Sequence, residues 1–181
     1  YLEAFKEIKD EPKHSRVLFE FIDGSYLSYI SQRMFGRVDL CDNVEDYLKQ
    51  KKLGPDALNM SYKEFIGTLK RRTTISKTFL MNQNVIAGIG NIYSDEILFR
   101  TKLNPKTRIN EVDENKLKDL FSNIKEVLNY GIEHTGDLDS YSSKFFIAHR
   151  QKDDKCPICG TMIERYELSG RHGFYCPKCQ K

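Results

Sequence analysis

Two pairs of closely spaced cysteines restrict the fold of the C-terminal segment of this 181-residue sequence. Cys156-Pro-Ile-Cys159 and Cys176-Pro-Lys-Cys179 are separated by sixteen residues. Two Cys-x-x-Cys pairs at this spacing predict two tight turns that present four thiolates to one zinc ion. Because the protein supplies all four ligands, the predicted site is structural rather than catalytic. Two disulfides are the alternative, but disulfides are rare inside cells and nothing in the sequence indicates secretion.

The rest of the composition argues against a membrane or secreted protein. No apolar run approaches the roughly 18 residues that a membrane-spanning helix needs. The first residues lack the basic-then-apolar layout of a signal peptide. We therefore predict an intracellular, cytoplasmic protein. The fifth cysteine, Cys41, lies in an apolar, strand-like stretch, which favours a small buried side chain.

Charge is unevenly distributed along the chain, although the net charge is only +3. Residues 61–110 contain nine basic and three acidic side chains, whereas residues 111–139 contain eight acidic ones and three lysines. Such asymmetry is typical of a surface that binds a polyanion on one side. Two ordinary solvated helix faces would give the same counts, so charge alone leaves both interpretations open.

Residues 1–42 have the pattern of β structure, and we interpret them as part of a larger antiparallel sandwich, because four strands cannot bury both faces of a sheet. The predicted strands are residues 16–22 and 25–30, joined by a two-residue turn at Asp23-Gly24 and flanked by residues 1–9 and 33–41.

From Asn43 onward the apolar period becomes helical. Ser61-x-x-Glu64 is a capping box that predicts the start of a helix. Helices are predicted over residues 44–51, 61–72, 76–82, 91–101 and 113–134. The last of these has an apolar stripe that consists of Leu117, Leu120, Phe121, Ile124, Val127, Leu128 and Ile132.

A glycine-bearing turn, Gly88-Ile-Gly90-Asn91, directly precedes a predicted helix. Two glycines permit positive φ and close approach to the backbone, and the first N–H groups of a helix suit a phosphate. A dinucleotide-binding loop would need a preceding strand, whereas a helix precedes this turn. Lys77 lies on that helix and could reach the same anion, although an ordinary solvated lysine is the alternative.

These residues resemble a known family. Residues 77–83 and 85–96 resemble the helix–two-turn–helix signature of the formamidopyrimidine-DNA glycosylase/endonuclease VIII family, and residues 170–180 resemble its C-terminal zinc finger. Arg33-Met-Phe35-Gly36 is similar to the loop that ends its N-terminal β domain. The resemblance implies an α+β fold with three parts. These are a partial antiparallel β-sandwich (1–42), a helix–two-turn–helix domain (43–139) and a zinc-finger β-hairpin (140–181).

The resemblance also implies a function in base-excision repair. Members of the family extrude a damaged base from the duplex, and an N-terminal proline forms a Schiff base with the sugar before the strand is cut by elimination. The implied activities are those of a DNA glycosylase and an abasic-site lyase. The implied partner is double-stranded DNA with an oxidised base or an abasic site. A monomer with one structural Zn²⁺, associated with the nucleoid, is implied as well.

Individual roles carry over by position. Asn91 and Arg171 would hold the phosphates that flank the lesion, on a turn that depends on Gly88 and Gly90. Lys77 would lie near the damaged nucleotide. Arg33 would fill the gap left by the flipped base, and Phe35 would wedge into the stack. For Phe35 a plain core position is the alternative, and for Arg171 a solvated hairpin position.

The departures from the family pattern affect activity and specificity. The proline-glutamate start and an early lysine are absent, so we expect a chain without the N-terminal third, and no glycosylase or lyase activity from these 181 residues alone. Residues 135–155 lack the glycine-rich loop that covers 8-oxoguanine in one branch of the family. Met34 and Asn82 replace the commoner arginine and aspartate, so oxidised purines and oxidised pyrimidines both remain open.

Two other classes of function fit part of the pattern. A non-catalytic, zinc-stabilised nucleic-acid-binding module would use the same turn and the same zinc hairpin. A zinc ribbon that serves only protein contacts would not explain the Gly88–Asn91 turn.

Overall fold

A computed structural model describes residues 1–34, 36–151, 153–168 and 170–181. The chain divides into two compact units, Tyr1–Val44 and Glu45–Lys181. The first is a small antiparallel sheet, and the second consists of helices with a C-terminal β-hairpin. The predicted α+β class is therefore confirmed. No helix in the described part of the chain is both long and apolar enough to cross a membrane.

The first unit is a three-stranded antiparallel sheet. Its strands are β1 (Leu2–Phe5), β2 (Ser15–Glu20) and β3 (Tyr26–Ile30), in the order β1-β3-β2. The turn between β2 and β3 has three residues rather than the predicted two, because the carbonyl of Ser25 accepts from the N–H of Phe21. Gly24 closes it in the left-handed region with φ of 80°, a geometry that pairs a tight turn with a bulge.

The predicted strand over residues 33–41 is wrong. Residues 33, 34 and 36–41 form no strand. The chain passes over the sheet instead, and a Cβ at Gly36 would collide with the hydroxyl of Tyr29. Cys41 is consequently exposed rather than buried. The predicted wedge residue, Phe35, lies outside the described residues.

The helices form where the capping residues and the apolar period predict them. They are α1 (Val44–Gln50), α2 (Tyr62–Leu69), α3 (Ser76–Met81), α4 (Asn91–Arg100) and α5 (Glu114–Glu133). The predicted capping box is present, since Ser61 and Glu64 bond each other's backbone N–H groups. Most of the predicted stripe of α5 packs into the core, but Ile132 is 61% exposed.

Helix α4 lies at the centre of the second unit. Its residues from Ser94 to Phe99 are all buried, two carboxylates included. One side contributes to the main apolar core, where Phe65, Phe79 and Leu80 are fully buried. Because α4 is enclosed, the polar groups at its N-terminus are held in a fixed place.

The C-terminal hairpin consists of β4 (Glu164–Leu168) and β5 (Arg171–Tyr175). The ring of Tyr166 crosses β5 at Gly173, where a Cβ would collide with it, and so only glycine fits. The hairpin packs on α4 through a second apolar cluster, Phe99, Phe146, Cys156, Ile163 and Cys176. The boundary predicted at residues 139–140 stays a prediction.

Candidate metal centre and nucleic-acid interface

The four cysteines of the two Cys-x-x-Cys pairs converge at one point. All four sulfur atoms lie within 4.8 Å of one another. The Sγ atoms of Cys156 and Cys179 are 3.8 Å apart, and those of Cys159 and Cys176 are 3.5 Å apart. Tetrahedral coordination at about 2.3 Å places sulfurs about 3.8 Å apart, so the set fits one zinc ion. A disulfide bond needs about 2.05 Å, which excludes the alternative of two disulfides.

Local backbone bonds form the tight turn at each cysteine pair. The N–H of Gly160 donates to the carbonyl of Cys156, and Gly160 takes φ of 69°, which favours glycine. At the second pair the N–H of Gln180 donates to the carbonyl of Cys176. Gln180 also donates through its side chain to the carbonyl of Leu103, just after α4. The metal centre is therefore tied directly to the helical core.

The glycine turn uses its two glycines differently. Gly88 has φ of 99°, so the backbone itself requires glycine there. Gly90 has φ of −95°, an ordinary extended value, and a Cβ at this position would meet no atom within 4 Å. The fold would therefore accept a side chain at Gly90. Because Gly90 has no side chain, the surface in front of α4 stays open to close approach by a ligand.

The N-terminus of α4 presents unpaired hydrogen-bond donors at this open surface. No side chain caps the helix. Within the described residues, no acceptor pairs with the N–H groups of Asn91, Ile92 and Tyr93. Three unpaired N–H groups and the positive end of the helix dipole favour an anion.

The side chain of Asn91 serves a different purpose from its backbone. Its Nδ2 donates to the carbonyl of His172 at 2.9 Å, which joins the start of α4 to strand β5. The neighbouring Arg171 is exposed, and its guanidinium has no hydrogen-bond partner among the described residues. We call the three N–H groups together with Arg171 the anion site. A groove of about 250 Å³ between Arg171 and the end of α3 borders it.

Lys77 does not point to this surface. It is only 1% exposed, and its ammonium donates to the carbonyl of Asn91 and the Oγ of Ser94, both at 2.7 Å. It also pairs with Asp95 at 2.6 Å. These three bonds occupy all three N–H donors of the ammonium group. A direct contact of Lys77 with DNA stays a prediction, whereas its observed contacts fix the first turn of α4.

Asp95 connects three parts of the second unit. Besides Lys77 on α3, it accepts a bond from Arg150 at 2.9 Å and one from the N–H of Phe174 on β5. Burial lowers the pKa of Lys77 to about 8, although the adjacent Asp95 carboxylate acts in the opposite direction. Arg150 and Arg171 lower it further by repulsion. Two cations, Lys77 and Arg150, thus pair with one buried carboxylate, and this cluster behind the anion site carries a net positive charge.

The sequence analysis missed Asp95 and Arg150. The available signal was a pair of acids, Asp95 and Glu96, inside a helix whose later residues are apolar. Buried carboxylates need partners, so both predict a cation or N–H group nearby. Glu96 indeed accepts from Arg100 and from the N–H of Ile147. Arg33 lies in the first unit, and its predicted role stays a prediction.

Comparisons with known proteins agree with this architecture. Residues 53–143 match the model of the formamidopyrimidine-DNA glycosylase H2TH domain. Residues 153–181 match the zinc finger found in FPG and IleRS. This match and the four converging thiols confirm the predicted site for one structural zinc ion.

Curated relatives and solved structures cover nearly the whole chain. The formamidopyrimidine-DNA glycosylase of Mycoplasma mobile is 36% identical over 93% of this chain and 66% of its own length. That of Ligilactobacillus salivarius is 35% identical over 95% of this chain and 67% of its own length. A complex of Lactococcus lactis Fpg with DNA that contains an abasic site superimposes with a TM-score of 0.82 and 27% identity. It covers 99% of this chain and 71% of the Lactococcus chain. The chain thus spans about two thirds of the length of its curated relatives.

Proposed function

The chain belongs to the formamidopyrimidine-DNA glycosylase family, and from this premise we propose that its second unit binds damaged duplex DNA for base-excision repair. The whole protein would be a DNA glycosylase with abasic-site lyase activity. The observation that carries the proposal is the anion site, where unpaired N–H groups of α4 lie beside an exposed arginine.

The anion site suits a DNA phosphate for two reasons. The N–H groups of α4 supply directed donors, while the guanidinium of Arg171 supplies a charge and a fork of donors that matches phosphate oxygens. Lys77 and Asp95 position both partners, since Lys77 holds the first turn of α4 and Asp95 holds strand β5. Solved relatives include Lactococcus Fpg with DNA that contains an abasic site or N7-benzyl-Fapy-dG, which supports this class of partner.

The remaining predicted residues complete the proposal. Arg33 would enter the space left by the extruded base and Phe35 would wedge the stack, both within the part of the chain predicted as the β domain. The proposed substrate is duplex DNA with an oxidised base, purine or pyrimidine, or an abasic site. Matched duplexes with 8-oxoguanine and thymine glycol distinguish the two lesion classes.

Gly90→Asp tests the anion site directly. The aspartate fits the fold because no atom lies near its Cβ, and its carboxylate can cap the free N–H groups of α4. It would therefore occupy the phosphate position with an anion of its own. We expect unchanged or higher thermal stability, together with DNA binding weakened by roughly tenfold or more at moderate salt.

Asn115→Asp in the first turn of α5 is the matched control, because it adds the same charge at an exposed position near the N-terminus of another helix. Affinity is measured by fluorescence anisotropy on a duplex with an abasic-site analogue. Equal affinity of the two variants would show that the α4 N-terminus binds no phosphate.

We further propose that a polypeptide of these 181 residues forms no covalent intermediate. Its sequence begins with Tyr1, whose amine donates to the carbonyl of Ile30 at 3.1 Å, and contains no N-terminal proline. Borohydride trapping on abasic-site DNA should give no adduct, although the same preparation binds that DNA. A trapped adduct that is lost when the amine of Tyr1 is acetylated would contradict the proposal.

A further inference from the structure

A strip of basic side chains lies outside the anion site. Its members come from the segment before α3 and the segment after α4, and we call them the basic ridge: Lys70, Arg71, Arg72, Lys106 and Arg108. All are exposed except Arg72, which is half-buried. Within the described chain none of them forms an ion pair with a carboxylate. The positive charge of the basic ridge is therefore available to an external partner.

Backbone pairing brings the two segments together. The N–H of Ile109 donates to the carbonyl of Thr74 at 2.9 Å. The guanidinium of Arg108 donates to the carbonyl of Thr73 at 3.0 Å, directly beside Arg72. The two segments also meet at an antiparallel bridge between Ile75 and Arg108, so the basic side chains of one segment lie next to those of the other.

Lys77 connects the basic ridge to the anion site. Its backbone N–H donates to the carbonyl of Pro105, the residue before Lys106, at 3.1 Å. Its ammonium donates to the carbonyl of Asn91 at the start of α4. The start of the basic ridge at Lys106 is therefore separated from the anion site by about the length of the Lys77 side chain.

Lys106 also lies beside the zinc hairpin. Its ammonium is 5.5 Å from the ring centroid of Tyr175 and 5.9 Å from that of Tyr166. Tyr175 is four residues from Arg171 along β5, a distance of about 13 Å in a strand. The length of β5 thus separates Arg171 by about 13 Å from the end of the hairpin beside which Lys106 lies.

We propose that the basic ridge binds backbone phosphates of the same DNA duplex, a few nucleotides beyond those held by the anion site. This inference rests on the proposed function. It predicts that the DNA contact extends further on one side of the anion site than on the other. DNA fits this surface because the side chains of the basic ridge form no ion pair with a carboxylate of the described chain, and because Lys106 directly follows Pro105, which accepts from the backbone N–H of Lys77 beside the anion site.

The test uses the zinc-loaded 181-residue chain. The ridge variant carries Lys70→Gln, Arg71→Gln and Lys106→Gln, which are all exposed positions. The matched control carries Lys49→Gln, Lys51→Gln and Lys118→Gln, exposed lysines on α1, just after α1 and on α5, so both variants lose the same charge. Affinity is measured against salt on three duplexes with an abasic-site analogue: one long on both sides and two shortened to a few base pairs on one side.

We expect the wild type and the control to lose affinity when one particular side is shortened. The ridge variant should bind the long duplex roughly tenfold more weakly than the wild type does, and its affinity should be the same for the long and the shortened duplexes. The slope of log K against log salt concentration should be less negative by about two to three for this variant, because each lost phosphate contact changes that slope by about 0.9. A further variant with Lys70→Arg and Lys106→Arg keeps the charge and should bind like the wild type.

Two results separate the inference from the proposed function. If Arg171→Ala weakens binding but the ridge variant behaves like its control, the basic ridge has no part in DNA binding. If neither Arg171→Ala nor the ridge variant differs from the wild type, the proposed function is wrong along with the inference. Equal affinity of the wild type for all three duplexes would likewise overturn the basic ridge as a DNA contact.

Discussion

Lys77 shows how a single residue serves this fold through a buried charge. Its ammonium is enclosed and bonded to Asn91, Ser94 and Asp95. Burial penalises the charge more than Asp95 compensates, and so the pKa falls from 10.5 to about 8. Between these pH values the unfolded chain holds a proton that the folded chain has released. Stability contributed by this group therefore rises with pH across that window.

The residue-scale prediction compares the wild type with Lys77→Met in urea unfolding between pH 7.5 and 10.5. The free energy of unfolding of the wild type should increase relative to that of the variant by about 1–3 kcal/mol across the window. Buried tyrosines titrate in both proteins, so their contributions cancel in the difference. A difference that stays constant with pH would mean that Lys77 keeps its ordinary pKa when folded.

At the scale of elements, the zinc hairpin and α4 depend on each other. Strand β5 places Arg171 beside the N-terminus of α4 through the bond from Asn91 to His172. The hairpin contributes only Cys156, Ile163 and Cys176 to the small buried cluster that it shares with Phe99 of α4 and Phe146, whereas the main helical core lies elsewhere in the second unit. Zinc therefore supplies most of the free energy that holds the hairpin in place.

Removal of zinc by a chelator should therefore loosen the hairpin and leave the helices folded. We expect far-UV circular dichroism to retain the helical signal, while DNA affinity falls at least tenfold, by about 1.4 kcal/mol or more. Cys156→Ser with Cys179→Ser should reproduce the chelated state and make the protein insensitive to the chelator. Complete loss of helicity in either experiment would contradict this division between hairpin and helices.

At the scale of the whole molecule, the two units differ in how they bury apolar side chains. The first buries Ser28 and Ile30, while Phe21 and Ile22 at its turn stay exposed. A three-stranded sheet has few positions to bury. The second unit encloses an aromatic and aliphatic core around α4. The proposed DNA contacts of the anion site and the basic ridge all lie on this second, well-packed unit.

Patterns that depend on neighbouring residues could be predicted from the sequence. The zinc site follows from two Cys-x-x-Cys turns, and the start of α2 follows from Ser61 and Glu64, because each motif closes its own hydrogen bonds. The Gly88 turn was predictable for the same reason. The irregular course of residues 36–41 was not, because the strand pattern there competes with a contact to Tyr29, which is distant in sequence.

Only the tertiary structure decided how the polar groups of the site are used. The sequence by itself determined that Gly88-Ile-Gly90-Asn91 opens a helix and that Arg171 lies in a zinc hairpin. It could not assign Lys77 to the interior, because the side chain that pairs with it, Asp95, lies eighteen residues away on another helix. The first N–H groups of α4 stay free because no acceptor of the described chain packs against them, and the sequence does not show this. Burial and long-range pairing set the free energy of each charge, and no local spacing encodes them.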